Sequence, residues 1–389
     1  MFHCPLSSSY HPRPLWSMGF RPFFLLSALW AIVIITLWSF YQFGYFFLIP
    51  SDINPILWHT HEMFFGFAMA AVTGFLLTAS ANWSGKTPVQ GRALKILCLL
   101  WGLGRLSFLF PHNIFLSIVD LAYIPLLAYN LIPYLAIKSQ KRNWIFFIIL
   151  AILEAANLFT HLERWGKSTL GMWTLQLTLL CFILMIIIIA GRIIPLFTGN
   201  KYPQISVKKY IFIEKIIPPF FFLFILLKII PAFNVLLPPI AFLNLILHSI
   251  RLIGWKPWKV IKTPILFILP LSYFWIVVGF LFQSLMSLVN LPPSLVSHCF
   301  AIGGIGGMIF AMMTRVSLGH TGRIIQENKL ILLGYFLMQF AIILRICTFF
   351  TTQNYLPVLI ASATTWIVAF LFFIWIYTPI LCTKLTAKT

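Results

Sequence analysis

The chain has 389 residues, of which 61% are apolar and 9% are charged. Soluble domains contain about 25% charged residues, so this composition excludes a soluble protein and predicts one transmembrane helical domain over residues 1–389. The net charge is +20, from 27 lysines and arginines against 7 acidic residues. No basic run alternates with aromatic residues, which excludes nucleic-acid binding and favours the lysine and arginine excess typical of cytoplasmic loops.

Apolar segments of membrane-spanning length follow one another along the chain. A spanning helix needs about 20 mostly apolar residues, and we predict twelve of them in an all-α polytopic membrane fold. Numbered in chain order, they are 22–42, 55–80, 92–110, 114–137, 144–163, 170–190, 211–230, 234–250, 264–287, 294–314, 329–350 and 355–381. The first segment is too long for a signal peptide and has no cleavage site after it, so we interpret it as a retained helix.

The distribution of basic residues predicts the topology. If the N-terminus is cytoplasmic and the spans alternate, nearly all lysines and arginines fall on the cytoplasmic side. The exceptions are Arg105, Arg164, Lys167, Lys228 and Arg345. Because cytoplasmic loops collect lysine and arginine, this pattern favours twelve spans in the inner membrane, with both termini in the cytoplasm.

Two of the predicted helices share a spacing that indicates internal repetition. Helix 2 has a glycine, a serine, a second glycine and a basic residue at 5, 19, 24 and 25 residues after His61, and helix 10 has the same types at the same distances after His298. Helix 6 ends in the related stretch 197–201. Helices 2, 6 and 10 are four apart, which would fit three four-helix units.

Four histidines are predicted at one depth beneath the outer surface. They are His59 and His61 on helix 2, His161 on helix 5 and His298 on helix 10. Imidazole is the commonest metal ligand and an axial haem ligand, and helical bundles build cofactor sites from facing helices. His59 and His61 lie about 200° apart on a regular helix. Either they serve two adjacent sites, such as a haem and a second metal, or one or both only form hydrogen bonds near the headgroups.

Acidic and amide groups accompany these histidines. Glu62 follows His61 directly, and Glu154, Asn157 and His161 share one face of helix 5. Such groups orient a ligating imidazole through its other nitrogen. Glu154 is equally consistent with a proton relay or a buried neutral acid.

Two arginines lie toward the outer ends of helices 3 and 11, at Arg105 and Arg345. They either neutralise haem propionates, pair with the acidic residues, or extend to the headgroups.

A second group is predicted at the cytoplasmic ends of the helices. His248, Arg251 and Trp255 form a stripe on helix 8, and Arg192, Arg315 and His320 lie at or beyond the ends of helices 6 and 10. They are consistent with a site for an anionic group, a second haem or a lipid phosphate, or with a plain positive-inside fringe. We expect His3, His11 and His112 to be exposed.

Several stretches together resemble the NnrS family over most of the chain. They are GFRPFF from Gly19, WHTHEMFFGF from Trp58, GFLLTASANWSG from Gly74, Gly104-Arg105, AGRIIPLFTGN from Ala190, His248 with Arg251, and HCFAIGGIGGMIFAMMTRVSLGHTGR from His298. The chain departs from the family at Ala81, where proline is expected, and at Ser84, where threonine is usual.

The resemblance implies a bacterial membrane protein that contains haem and copper and is linked to denitrification and tolerance of nitric oxide. By position, the family's histidines fall on His59, His61, His161, His248, His298 and His320. Twelve helices with histidines on the second and tenth also resemble the catalytic subunit of haem–copper oxidases. Helix 6 has no histidine here, so a copper site of that type is not expected.

Three functions remain open from the sequence. The first is a haem- and copper-binding protein that protects against nitric oxide, with His298 and either His59 or His61 on the haem, and His161 with the remaining histidine on copper. The second is a small-molecule transporter, whose broken helix would be the stretch Gly303–Gly307. The third is a redox subunit that carries electrons from quinol to an outer acceptor and binds an electron-transfer partner protein.

Overall fold

A computed structural model describes residues 14–45, 49–351 and 353–384. Within these ranges the chain is helical and contains no strand, so the predicted all-α fold is confirmed. His3 and His11 lie outside the described residues. The helices are α1 (Phe20–Gln42), α2 (Pro55–Ser84), α3 (Gly91–Leu106), α4 (Ile114–Leu135), α5 (Ile145–Arg164), α6 (Gly171–Lys201), α7 (Ile211–Ile229), α8 (Leu237–Gly254), α9 (Pro264–Val289), α10 (Pro293–His320), α11 (Lys329–Cys347) and α12 (Tyr355–Cys382).

Each of the twelve predicted segments coincides with one of these helices. Ten helices in the described part of the chain are long and apolar enough to cross a membrane, which makes the chain a multi-pass membrane protein. Helices α3 and α7 do not meet this criterion of length and composition. Helix α3 has only 16 residues, and α7 carries Glu214, Lys215 and Lys228. The orientation of the termini stays a prediction.

Asparagine caps start several of the helices. The Oδ1 of Asn54 accepts hydrogen bonds from the backbone N–H groups of Ile56 and Leu57, at 2.9 and 3.3 Å, and Pro55 takes the first helical position. Asn113 and Asn328 cap α4 and α11 in the same way. An asparagine cap satisfies amide groups that the first turn leaves without partners.

Helices α2 and α10 share an irregularity that supports the predicted repeat. In α2 a π-helical segment, Glu62–Ala68, follows His61 directly. In α10 a π-helical segment, Cys299–Gly306, follows His298 in the same way. Each also ends before a glycine in the left-handed conformation, Gly85 and Gly322. Because π segments occur mostly as single insertions near functional sites, the matching positions mark the two helices as equivalent.

The glycines inside the π segments allow tryptophan rings to pack against the backbone. A Cβ at Gly66 would collide with the ring of Trp30, and a Cβ at Gly303 with the ring of Trp275. Gly306 is covered by Trp366. The glycine-rich stretch of α10 therefore allows close helix packing. This packing explains the glycines at 303–307, which the transporter hypothesis interpreted as a broken helix.

The chain divides into two compact units. The first unit comprises the described residues up to Thr178 with Met313–Ile325 and 370–384, and the second comprises Leu179–Met312 with Gln326–Ala369. In the first unit, α1 packs on α2, and the Oγ of Ser27 donates to the carbonyl of Phe67 at 3.0 Å. In the second, the ring of Phe280 contacts Phe224 and Phe300, with centroids 5.3 and 5.4 Å apart.

Candidate metal centre

Three potential metal ligands from three helices meet inside the first unit. The Nε2 of His161 lies 3.0 Å from the Oδ2 of Asp120, and the Nε2 of His61 lies 3.6 Å from the same oxygen. All three residues are buried, with exposures of 0, 1 and 0% for His61, Asp120 and His161. One donor atom from each lies within 4.8 Å of the others. This compact group is the candidate metal centre.

Local structure accounts for the position of each ligand. His61 is the last residue of α2 before the π segment, and His161 lies in the last turn of α5. Asp120 lies next to a break at Ala122 that separates the two parts of α4. Gly104 lets α4 approach α3, since a Cβ at this position would collide with the Asp120 carboxylate.

A buried arginine binds both carboxylates of the site. The Nη1 of Arg105 donates to the Oε1 of Glu62 at 2.7 Å, and its Nη2 donates to Asp120. Arg105 is 2% exposed and Glu62 is fully buried. The two carboxylates carry one more charge than the guanidinium neutralises, and such an excess is costly in a low-dielectric interior. The site therefore favours an additional cation.

Hydrogen bonds orient the ligands. The Nδ1 of His61 lies 2.9 Å from Glu62 and its Nε2 lies 2.8 Å from the amide oxygen of Asn157, whose Nδ2 donates to Asp120 at 3.2 Å. Both ring nitrogens thus face acceptor oxygens, which a protonated imidazole satisfies. The positive charge of a protonated His61 would neutralise the carboxylate charge that Arg105 leaves over. A metal ion that replaces the proton on Nε2 would do the same.

An aromatic side chain closes the site. The ring of Phe108 stacks on His61 with centroids 3.7 Å apart and contacts His161 at 4.9 Å. The Nδ1 of His161 and the Oε2 of Glu62 are buried and have no hydrogen-bond partner among the described residues. Two imidazoles and a carboxylate suit copper, zinc or non-haem iron, so the donor set fits the copper that the family resemblance implies.

An ion pair lies at the end of α5, between Arg164 and Asp52. The guanidinium of Arg164 forms two hydrogen bonds to the Asp52 carboxylate, at 3.0 and 3.1 Å, and also donates to the carbonyls of Ser107 and Phe110. Burial alone would raise the pKa of the Asp52 carboxyl. The hydrogen bonds from Arg164 and from the His112 amide outweigh that effect and lower the pKa.

This pair predicts an acid-dependent contribution to stability. Asp52→Asn is expected to lower the midpoint of thermal unfolding at pH 7, because the folded state holds the ionised carboxylate. The pKa of the Asp52 carboxyl is lower in the folded protein than in the unfolded chain, where it is about 3.9. The ion pair therefore contributes its full stability above the unfolded pKa, and this contribution is lost as the pH falls through the folded pKa. The difference between the two proteins, measured in detergent, should therefore shrink below about pH 4. A difference that is the same at pH 7 and pH 3 would exclude this role.

The other predicted outer residues of the first unit lie outside this group of three ligands. His59 is half-buried and stacks on Trp38 of α1, with centroids 4.4 Å apart, so it points away from His61 as helical geometry requires. Glu154 lies one turn before Asn157 on α5, and its buried Oε2 has no hydrogen-bond partner among the described residues. His112 is exposed, as expected.

Two predicted residues of the outer group belong to the second unit. The Nδ1 of His298 donates to the carbonyl of Ser294 at 2.6 Å. Arg345 donates to the hydroxyl of Thr348 and stacks over the ring of Phe349, 4.6 Å from its centroid. These contacts give each side chain a local partner within its own unit.

The predicted inner group is divided between the units. In the second unit, His248 is fully buried and its Nδ1 lies 2.5 Å from the hydroxyl of Tyr273. The same hydroxyl accepts from Arg251 at 3.0 Å, and Arg251 pairs with Glu214, so the arginine charge is compensated. The Nε2 of His248 has no hydrogen-bond partner among the described residues.

The remaining residues of the predicted inner group are also divided between the two units. Arg192, half-buried in α6, lies in the second unit, whereas Arg315 and His320 lie in the first. The six candidate inner residues therefore do not constitute one cluster within a single unit.

Sequence reasoning missed the carboxylate at the centre of the site. Asp120 is one of only 7 acidic residues and lies within a predicted span. An ionisable residue at membrane depth is by default a functional candidate, so the signal was present. The partner of Arg251, Glu214, was also missed, because it lies on a different helix far away in the chain.

Comparison with protein-family models identifies the family of the chain. A family model described as NnrS protein matches residues 14–384, nearly the whole chain. No curated protein matches.

Proposed function

Since the chain belongs to the NnrS family, we propose that it is a haem- and copper-binding protein of the bacterial inner membrane that acts in nitric oxide tolerance. The observation that carries the proposal is the buried group of His61, Asp120 and His161, whose donor atoms lie within 4.8 Å of one another. An ionisable cluster at this depth is expensive to maintain without a function. The proposed site for copper is this group.

The donor set favours copper among the divalent metals. Imidazole ligands suit copper, and the Irving–Williams order places Cu²⁺ above its neighbours at a site of nitrogen and oxygen donors. Bound copper would supply one-electron redox chemistry and an open coordination position for a small molecule.

The protein contributes orientation, charge and exclusion of water. Glu62 and Asn157 hold the imidazole of His61, and Arg105 holds both carboxylates. Supporting partners of this kind typically change metal affinity about 10–100-fold when removed. Phe108 covers both imidazoles, which favours a small neutral substrate such as nitric oxide over a hydrated ion.

Haem ligation is proposed for histidines outside this group. The Nδ1 of His298 donates to the carbonyl of Ser294, which fixes the orientation of the imidazole, and imidazole is a common haem ligand. His248 is also proposed for haem, because the Tyr273 hydroxyl lies 2.5 Å from its Nδ1 and its buried Nε2 has no hydrogen-bond partner among the described residues. Because His61 lies with His161 in the candidate metal centre, His59 is proposed as a haem ligand of the first unit.

The buried His248 also supports the quinol-linked redox alternative. That alternative requires a second haem near the opposite ends of the helices, and His248 offers a fully buried Nε2 without a hydrogen-bond partner among the described residues. It predicts two spectroscopically distinct haems and an electron-donor partner.

Absorption spectroscopy with metal analysis of the detergent-purified protein tests the proposal. We expect a Soret band, stoichiometric iron and stoichiometric copper. His161→Ala should lose copper and keep the Soret band, whereas His298→Ala should lose or shift that band.

The matched control is His112→Ala, which removes an exposed imidazole and should change neither signal. A wild-type protein that stays colourless and free of copper after supplementation with haem and copper would contradict the proposed function.

A further inference from the structure

Two arginines meet at the ends of three helices in the first unit. Arg21, in the first turn of α1, donates from Nη1 to the carbonyl oxygens of Leu381 and Thr383, at 2.7 and 2.8 Å. Arg323, which follows α10, donates from Nη2 to the hydroxyl of Thr383 at 2.9 Å. Both guanidiniums therefore reach the same residue after α12.

The positive charges of this pair are not compensated within the described part of the chain. No acidic side chain there forms an ion pair with Arg21 or Arg323. Arg21 is 1% exposed, and two like charges brought together in a poorly solvated place repel one another. A bound anion would reduce this repulsion.

Arg21 and Arg323 each have a hydrogen-bond donor without an acceptor among the described residues. The Nε of Arg21 and the Nη1 of Arg323 are buried and have no acceptor among the described residues. A buried donor without an acceptor costs free energy, and donors on a charged group cost more. The carbonyls and the hydroxyl at Leu381 and Thr383 satisfy only part of each guanidinium.

Further polar groups lie around the start of α1. His320 contacts the ring of Phe20, with centroids 5.7 Å apart, and the amide of Phe20 donates to the hydroxyl of Thr78 at 3.1 Å. Ser80 and Ser317, each within one turn of these contacts, have fully buried hydroxyls without hydrogen-bond partners among the described residues. These hydroxyls occupy matching positions in the α2 and α10 repeat.

We propose that Arg21 and Arg323 bind a phosphate-class oxyanion. The planar fork of a guanidinium matches the oxygens of a phosphate, and two guanidiniums match its charge better than that of a carboxylate. Arg21 opens one spanning helix, and Arg323 and Thr383 directly follow two others. The site therefore lies where a spanning helix leaves the hydrocarbon, so its phosphate comes from a lipid headgroup or from free phosphate.

Thermal unfolding of the detergent-purified full chain tests the site. One titration uses sodium phosphate against sodium chloride of matched ionic strength, and the other uses phosphatidylglycerol against phosphatidylcholine in mixed micelles. We expect a saturable rise of the unfolding midpoint with phosphate, with phosphatidylglycerol, or with both. Phosphatidylglycerol alone identifies the headgroup, and inorganic phosphate identifies the free anion.

Arg323→Gln separates specific binding from general charge. The substitution removes a positive charge and hydrogen-bond donors to the anion, so the apparent affinity should fall about ten-fold or more. Arg92→Gln, which removes an exposed arginine at the start of α3, should keep the wild-type affinity.

Two results would overturn the proposal. One is a wild-type midpoint that neither ligand changes beyond its control. The other is a loss of affinity in Arg92→Gln as large as that in Arg323→Gln. The wild-type titrations decide the first point even if Arg323→Gln folds poorly, and neither measurement depends on haem or copper.

Discussion

Arg105→Met is expected to destabilise the protein by about 3–5 kcal/mol, because removing one partner of a buried ion pair leaves its charge uncompensated. The carboxylates of Glu62 and Asp120 would both stay in the interior without their shared guanidinium. Methionine has a similar length and is apolar, so the loss reports the charge and its hydrogen bonds more than the volume. The midpoint of thermal unfolding, measured in detergent without added metal, checks this.

Arg92 provides the matched control on the same helix. It is exposed, and Arg92→Met should stay within about 0.5 kcal/mol of the wild type, as surface substitutions usually do. Adding Glu62→Gln to Arg105→Met removes one of the two carboxylate charges that the guanidinium contacts and should recover part of the loss, a coupling that a double-mutant cycle measures. Equal midpoints for Arg105→Met and Arg92→Met would show that this ion network does not hold the site together.

Asp120→Asn is expected to abolish the stabilisation of the protein by copper. A ligand at about 100 times its Kd stabilises the folded state by about 2.7 kcal/mol, and the wild type should gain this from Cu²⁺. The Oδ2 of Asp120 is the oxygen that the Nε2 atoms of His61 and His161 both face. A neutral amide binds metal weakly, so the variant should gain nothing at the same concentration.

Glu163→Gln is the control for this experiment. Glu163 is a carboxylate on α5, the helix that carries His161, and it accepts hydrogen bonds from the amides of Gly171 and Met172 instead of joining the cluster. It should keep the copper response. Asparagine matches aspartate in size and leaves the contact of Arg105 with Glu62 intact, so the metal-free variant should fold. Undiminished copper stabilisation of folded Asp120→Asn would rule out Asp120 as a ligand.

The helices and the residues at their ends could be predicted from the sequence because their causes are local. Each of the twelve predicted apolar segments coincides with a helix in the described part of the chain, since a helix closes its own backbone hydrogen bonds. The divergence of His59 and His61 followed from helical geometry alone. The matching positions after His61 and His298 predicted a repeat whose π segments and left-handed glycines the structure shows.

The composition of the metal centre depended on the tertiary structure. Asp120 and His161 are 41 residues apart, and no spacing rule says that α4 and α5 bring them to 3.0 Å. The sequence also left Arg105 three possible roles, and only the packing of α2, α3 and α4 pairs it with Glu62 and Asp120. Local hydrogen bonding and hydrophobicity determine helices along the chain, whereas the choice of partners across helices depends on side-chain packing between distant segments, which periodicity does not encode.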